Sequence, residues 1–290
     1  VVERIRFGAL LLFSVVWLTF VYCPVAHWVW GDGGWLLELG ALDFAGGTVV
    51  HICAGFSALA LAIVLGPRKG YSDGEPMEAH SIPMVLLGAG ILWFGWFGFN
   101  AGSALTSGGL AASAFVTTNT SAATAAVTWI LLSWWDRRPS ALGTATGAVA
   151  GLVAITPAAG FVSPLAAIPI GIGVSFICYN CIRLRVRMKV DESLDVWAVH
   201  GMGGAWGAVA TGIFADPAVG GAAGLFYGNA AQVGIQLVGV VVVAAFAFAA
   251  TYVMGRLIAV APGLRVENRD EVLGLDLAQH AERAYGGTVA

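Results

Sequence analysis

Charged residues are scarce in this chain. Only 11% of its 290 residues are Asp, Glu, Lys or Arg, while 58% are hydrophobic. A soluble domain contains about 25% charged residues, so this composition excludes an ordinary water-soluble globular protein. It is typical of a protein that crosses a membrane several times.

Cysteine is also rare, with four in the whole chain, and all four fall in predicted helices. They form no obvious disulfide framework. Cys178 and Cys181 make a CxxC on one helical face, but no second ligand pair accompanies them. Small packing residues are therefore favoured over a metal site, and we expect neither a metal nor a cofactor.

Long stretches lack Asp, Glu, Lys and Arg altogether. A membrane-spanning helix needs about 20 apolar residues. The two longest stretches, 79–135 and 139–182, must therefore each contain two helices, divided near 103–109 and near 160–164. The sequence predicts an all-α membrane bundle with eight helices, packed tightly through many glycines. The charge-free stretches are 7–31, 44–67, 79–135, 139–182, 196–215 and 217–255.

Basic residues are missing from one side of this predicted bundle. All 14 Lys and Arg lie at the two ends of the chain or after the second, fourth and sixth helices. The positive-inside rule places that side, with both ends, in the cytoplasm. We expect the bundle to lie in the cell membrane. Residues 1–260 would form the membrane domain. Residues 261–290 would be a cytoplasmic tail, too short for a catalytic domain.

Two histidines lie within the apolar stretches, where an ionisable group is costly and usually lines a pathway. His51 and His200 both follow a valine, and a glycine comes four residues after each, at Gly55 and Gly204. This similarity suggests two related halves. A neutral imidazole has one donor and one acceptor nitrogen, which suits the passage of a small uncharged solute or a proton. A buried structural histidine is the alternative.

An aspartate precedes each of these histidines. Asp43 comes before the helix of His51, and Asp195 comes before the helix of His200. The Asp43 carboxylate could accept backbone N–H bonds at its helix start, or it could instead attract a cation. The two helices would run in opposite directions, as in an inverted repeat. That arrangement permits the two rings to meet near the middle of the membrane.

Aromatic residues gather at the predicted outer mouth. Trp30 ends the first helix, while Trp96, Phe99 and Ser103 lie at the end of the third. Indole and phenyl faces attract cations, and a serine hydroxyl can accept a hydrogen bond from an N–H cation. Taken singly, each aromatic is more typical of the interfacial belt or of packing.

Four motifs together resemble the ammonium transporter family (the Amt/MEP/Rh proteins), and its bacterial-type branch in particular. They are ALDFAGGTVVH at 41–51, GWFGFNAGS at 95–103, DVWAVHG at 195–201 and the tail pattern at 274–285 that includes Tyr285. The resemblance covers essentially the whole chain, in order. It implies an eleven-helix inverted-repeat fold assembled as a homotrimer, with one pore in each subunit.

The resemblance also implies roles for the residues of the mouth and pathway. Trp30 and Ser103 would bind ammonium at an outer site, with Phe99 as the gate beneath it and Trp96 in the pathway wall. His51 and His200 would be twin pore histidines, along which ammonia moves while its proton follows separately. The supporting residues would be Asp43 and Asp195.

The family pattern has further consequences for the ends of the chain. The tail would couple subunits and contact a PII-type signal protein, although Ala281 stands where the family often has glycine. The first helix here resembles the family's fourth. We therefore expect these residues to be an incomplete subunit that conducts poorly by itself.

Two other interpretations remain open. The same fold could serve as an ammonium sensor that signals through its tail to a separate partner. An intramembrane metalloenzyme could use His51, His200 and a carboxylate, but no HExxH or comparable ligand spacing supports it. The expected partners are ammonium or ammonia, the lipid bilayer, further copies of the subunit and the signal protein, without nucleic acid.

Overall fold

The computed structural model describes residues 1–261 and 263–284. The predicted all-α bundle is confirmed, since helices dominate these residues and their extended pairing is limited to one antiparallel bridge between Ile5 and Arg265. The eight long helices are α1 (residues 7–30), α2 (Gly47–Leu65), α3 (Ile82–Gly102), α4 (Gly109–Asp136), α5 (Ala141–Ile155), α6 (Pro164–Arg187), α7 (residues 197–214) and α8 (Ala231–Val260). Shorter helical turns are Trp35–Leu39, Pro217–Gly220, Leu225–Tyr227, Asn268–Leu273 and Leu275–His280.

Six helical segments of the described chain are long and apolar enough to cross a bilayer by themselves. The two predicted spans that fall short are α5, with 15 residues, and α7. Nine of the 15 residues of α5 are buried, as are seven of the 12 in Gly203–Phe214, the larger part of α7. Because protein rather than lipid surrounds them, these helices need neither the length nor the hydropathy of a lipid-facing span.

Serines begin three of the helices. The hydroxyl oxygens of Ser81, Ser140 and Ser163 accept hydrogen bonds from backbone N–H groups in the first turns of α3, α5 and α6. A proline also stands in the first turn of α3 and of α6, where its missing N–H removes no helical bond. Local chemistry thus sets these boundaries.

Glycines allow the close packing that the sequence predicts. Gly151 of α5 and Gly171 of α6 both lie against the carbonyl oxygen of Ser121 in α4, and a Cβ at either position would approach that oxygen to 2.6 Å. Gly147 similarly faces Trp129 of α4. Three helices therefore meet around the middle of α4, at distances that larger residues would prevent.

Helices α2 and α7 contact each other where two hydrophobic clusters meet. One cluster is built mainly from α3–α7 and the other mainly from α1, α2 and α8. Both begin with a π-helical stretch, Gly47–Ile52 in α2 and Trp197–Met202 in α7. Such wide turns are rare and frequently occur at functional sites. Each of these stretches contains one of the two histidines.

A polar network joins the chain segments at the basic end of the bundle. Arg4 is fully buried, and its guanidinium donates to the carbonyl oxygens of Gly66 at 2.9 Å and Asp191 at 2.6 Å. Arg68 pairs with the Asp191 carboxylate at 2.8 Å. The N–H of Val266 donates to the Arg4 carbonyl. Segments predicted to share one side of the membrane therefore lie together.

The described part of the tail packs on this same end. Glu271 pairs with Arg265 at 2.7 Å, and the Gln279 side chain accepts a hydrogen bond from the N–H of Phe7 at 2.7 Å. The tail thus contacts the first turn of α1. Tyr285 and the residues after it lie outside the described residues.

Candidate functional site

The structure brings His51 and His200 together where α2 and α7 cross. Their Nδ1 atoms are 3.2 Å apart, and their ring centroids are 5.2 Å apart. His51 is buried and His200 is partly buried. The contact links two residues that lie 149 positions apart in the chain.

The glycines that follow the histidines explain how the helices approach so closely. A Cβ at Gly55 would collide with the backbone N and Cα of Gly201. A Cβ at Gly204 would lie 2.8 Å from the Gly47 carbonyl oxygen and 3.1 Å from the Cβ of His51. The glycine four residues after each histidine therefore provides space for the other helix.

Asp43 holds the start of α2. One carboxylate oxygen accepts the N–H groups of Gly46 at 2.9 Å and Gly47 at 2.7 Å. The other accepts those of Thr48 at 2.8 Å and Val49 at 3.1 Å. Four donors that the helix leaves without intrahelical partners are thereby satisfied, as the capping interpretation requires.

Asp195 stands at the start of α7, where its carbonyl oxygen accepts the N–H of Val199 at 2.9 Å, but its side chain does not act as that of Asp43 does. The Asp195 carboxylate pairs with the guanidinium of Arg185 at 2.9 Å instead of capping α7. The backbone of Asp195 is left-handed, with φ of 55°, so the chain turns at this residue immediately before the helix. The nearest acid in the sequence is therefore used for an ion pair.

Glu192 takes the capping position instead. Its carboxylate accepts the N–H groups of Val196 and, at 3.0 Å, Trp197. A signal for this role was present in the sequence, since Glu192 precedes His200 by eight residues, as Asp43 precedes His51. Each histidine helix thus begins under a buried carboxylate that reaches over one turn of chain.

Thr156, at the end of α5, was missed from the sequence. Its Oγ1 accepts the indole N–H of Trp96 at 2.9 Å and lies 3.3 Å from Nε2 of His51. The Trp96 ring stacks on His51 at 5.3 Å, and Phe99 lies 6.0 Å from the same ring. A threonine at the end of an apolar helix usually bonds only its own helix, so no local pattern pointed to it.

The predicted outer residues attach to two different helices. The Trp30 indole N–H donates to the Asp43 carbonyl at 2.8 Å, beside the start of α2. The Ser103 hydroxyl donates to the Phe99 carbonyl at 2.8 Å, at the end of α3. Trp30 and Phe99 remain exposed, at 41% and 40%. Their rings are therefore accessible from outside the bundle.

A mostly apolar pocket of about 320 Å³, open at the surface of the described chain, lies beside His200, between α3, α5 and the start of α7. Apart from the imidazole, Thr146 contributes the one hydroxyl among its lining side chains. The lining residues are Val85, Gly88, Ala89, Leu92, Ala145, Thr146, Val149, Leu194, Val199 and His200.

Comparison with known proteins gives one consistent result. The model of the Ammonium Transporter Family matches residues 1–285. Ammonium transporter Amt1 of Archaeoglobus fulgidus is 52% identical over 285 residues, which cover 98% of this chain and 72% of that protein. The ammonium transporter of Bacillus subtilis is 51% identical over 287 residues, covering 98% of this chain and 70% of that protein.

Solved structures agree with the sequence comparison. The crystal structure of Mep2 from Candida albicans matches with a TM-score of 0.87 and 39% identity, covering 92% of this chain and 61% of Mep2. A sensor Amt protein matches with a TM-score of 0.86 and 33% identity, covering 96% of this chain and 71% of that protein. The relatives are named as transporters rather than enzymes. This multi-pass membrane chain therefore belongs to the ammonium transporter family.

Proposed function

We propose that this chain forms the conducting part of an ammonium transporter subunit. Ammonium is recruited at the outer aromatic residues, and ammonia then passes along His51 and His200 toward the basic end. The single observation that carries this proposal is the 3.2 Å contact between the two Nδ1 atoms within a largely apolar bundle. Ionisable groups at membrane depth are costly and usually mark a pathway.

The hydrogen bonds of Trp30 and Ser103 support the outer site, because both side chains already donate their hydrogen to backbone carbonyls. The indole N–H of Trp30 is bound to the Asp43 carbonyl, so the exposed ring face is what remains for a cation. The Ser103 proton is bound to the Phe99 carbonyl, which leaves the hydroxyl oxygen as an acceptor for an N–H of ammonium. Both groups thus suit a small cation with N–H donors.

The pathway beyond this site suits a neutral solute. Phe99 and Trp96 flank His51, and the open pocket beside His200 is mostly apolar. A charged ion that lost its hydration shell here would meet no compensating charge. We therefore propose that ammonia crosses this part while the proton moves separately.

The orientation and partners belong to the same proposal. The clustering of Arg4 and Arg68 at one end supports cytoplasmic termini in the cell membrane. Assembly as a homotrimer and docking of a PII-type signal protein near the tail rest on the family resemblance. The chain spans 61–72% of the length of the relatives named above. The proposed activity is therefore that of a subunit that contains this chain and has the full length of those relatives.

Replacement of the histidines tests the pathway. In such a subunit, reconstituted in liposomes, we expect His51→Ala and His200→Ala each to lower ammonium flux by about tenfold or to remove selectivity over potassium. Solid-supported-membrane currents measure both quantities. His27→Ala, an exposed histidine of α1, is the matched control and should leave them unchanged. Unchanged flux and selectivity in both pore variants would reduce the pair to a structural role.

Ammonium sensing is a second candidate, favoured by the similarity to the sensor Amt protein and by the packing of the tail on the basic end. A sensor would bind ammonium and alter a partner's activity without carrying flux. Binding and flux measured on the same purified subunit separate the two functions. Substantial flux would favour transport.

A further inference from the structure

We propose that the Thr156 hydroxyl sets the tautomers of both pore histidines and leaves Nε2 of His200 as the only ring nitrogen of the pair that is free to accept an N–H. Its consequence for solute passage rests on the proposed function. The tautomer assignment itself depends only on the hydrogen bonds around Thr156. In this assignment Thr156 is a positioning residue, because it acts through His51.

The hydroxyl of Thr156 has one proton and two lone pairs. It lies 2.7 Å from the carbonyl oxygen of Leu152, which can only accept, so the proton is donated there. The indole N–H of Trp96, 2.9 Å away, can only donate and therefore takes one lone pair. What remains toward His51 is a second lone pair, which can only accept.

The next step concerns His51. Its Nε2 lies 3.3 Å from Thr156 Oγ1, and a bare nitrogen at this place would face an oxygen with no proton left to give. Nε2 of His51 therefore carries the hydrogen. In a neutral imidazole the other nitrogen is then bare, so Nδ1 of His51 is an acceptor.

The same reasoning continues to His200. Its Nδ1 lies 3.2 Å from the bare Nδ1 of His51 and must donate to form a hydrogen bond. Nε2 of a neutral His200 is then bare. Both nitrogens of His51 and one of His200 are thus used within the protein. The remaining acceptor belongs to His200, the histidine that lines the open, mostly apolar pocket.

This order makes the two histidines unequal although they look equivalent in the sequence. His51 is fully hydrogen-bonded and serves to orient His200. A solute with an N–H donor meets its acceptor at His200. Without the Thr156 oxygen, the chain of bonds could run in either direction, and Nε2 of His200 would carry a hydrogen part of the time.

Nitrogen-15 NMR of the subunit in lipid nanodiscs tests the assignment, because protonated and bare ring nitrogens give distinct signals. His51→Ala and His200→Ala assign the resonances. We expect hydrogen on Nε2 of His51 and on Nδ1 of His200 in the unsubstituted protein. Hydrogen on Nδ1 of His51 together with a bare Nε2 would overturn the proposal, and this spectrum decides the matter even if a Thr156 variant fails to fold.

Substitution of Thr156 gives the second measurement. Thr156→Val should produce mixed tautomers for both histidines and lower ammonium flux by about two- to tenfold. Thr156→Ser keeps the hydroxyl and should restore both. Thr211→Val, which removes a buried α7 hydroxyl bonded only to the Gly207 carbonyl in its own helix, is the control for loss of packing and should leave the tautomers unchanged. Unmixed tautomers in Thr156→Val would overturn the proposal.

Failure of this inference and failure of the proposed function give different results. The expected tautomers in a subunit without flux would support the assignment and contradict transport. The opposite tautomers in an active subunit would overturn the assignment and leave transport standing.

Discussion

The backbone of Gly201 occupies the space that a side chain at Gly55 would need. Gly55 lies one turn after His51, and Gly201 directly follows His200. The distance between α2 and α7 at this point therefore also controls the distance between the two imidazoles. Packing and the geometry of the candidate pathway depend on the same pair of glycines.

Gly55→Ala should push α2 and α7 apart. The added methyl group meets backbone atoms of Gly201 that cannot rotate away, so we expect a loss of about 1–3 kcal/mol in the free energy of unfolding. The hydrogen bond between the two histidines should also be lost, which their NMR signals would show. Thermal unfolding in detergent measures the first effect. Gly234→Ala, in α8 with open space around it, is the control and should not destabilise the protein.

Asp43→Asn should destabilise the start of α2. The amide keeps one acceptor oxygen but turns an NH₂ group toward two of the four backbone donors. Each unsatisfied N–H costs about 1–3 kcal/mol, and thermal unfolding should show the loss. An Asn variant of unchanged stability but weaker ammonium binding would contradict the capping role and favour direct cation attraction.

Glu192→Gln and Asp195→Asn distinguish the two acids at the start of α7. Loss of the Glu192 cap should cost about 1–3 kcal/mol, because the N–H groups of Val196 and Trp197 lose a charged acceptor. Asp195→Asn should cost about 1 kcal/mol or less, since this carboxylate is partly exposed and the buried Arg185 keeps its hydrogen bond to the Val190 carbonyl. Comparison of the two melting temperatures checks this order. A larger loss for Asp195→Asn would reverse the assignment.

Asp191 should make stability depend on pH. Burial raises the pKa of this carboxyl, but hydrogen bonds from Arg68 and the charges of Arg68 and Arg4 outweigh it and hold the pKa below its ordinary value. A lowered folded-state pKa stabilises the protein above the ordinary value of about 4 and loses that contribution as the pH falls through the folded-state pKa.

The matching variant is Asp191→Asn. It removes the negative charge that compensates the positive charges of Arg68 and the buried Arg4. We expect the free energy of unfolding to fall by about 3–5 kcal/mol near neutral pH. Unfolding measured across acidic pH should then show a shallower decline than in the unsubstituted chain. Asp136→Asn, which affects an exposed pair with Arg183, is the control. Parallel pH profiles for Asp191→Asn and the unsubstituted chain would exclude this linkage.

The helices and their order could be predicted because their signals are local. Charge-free stretches mark the apolar spans. The caps that the structure shows at Ser81, Ser140 and Ser163 are local as well, although the helix starts were not predicted from them. The related surroundings of His51 and His200 were visible for the same reason. The cap by Glu192 was not predicted, because the sequence shows which acid is nearest the helix but does not show how far the chain turns between that acid and the first free N–H.

By itself, the sequence determined the membrane class, the eight apolar segments, the placement of the basic residues and the two histidines that needed explanation. These follow from composition and spacing along one chain. Only the tertiary structure decided that the rings touch, that Glu192 caps α7 and that Thr156 completes the hydrogen bonds of His51. Such features depend on contacts between segments that are distant in the chain. The direction of a hydrogen bond at a hydroxyl such as that of Thr156 depends on all of its partners together, and these come from different helices.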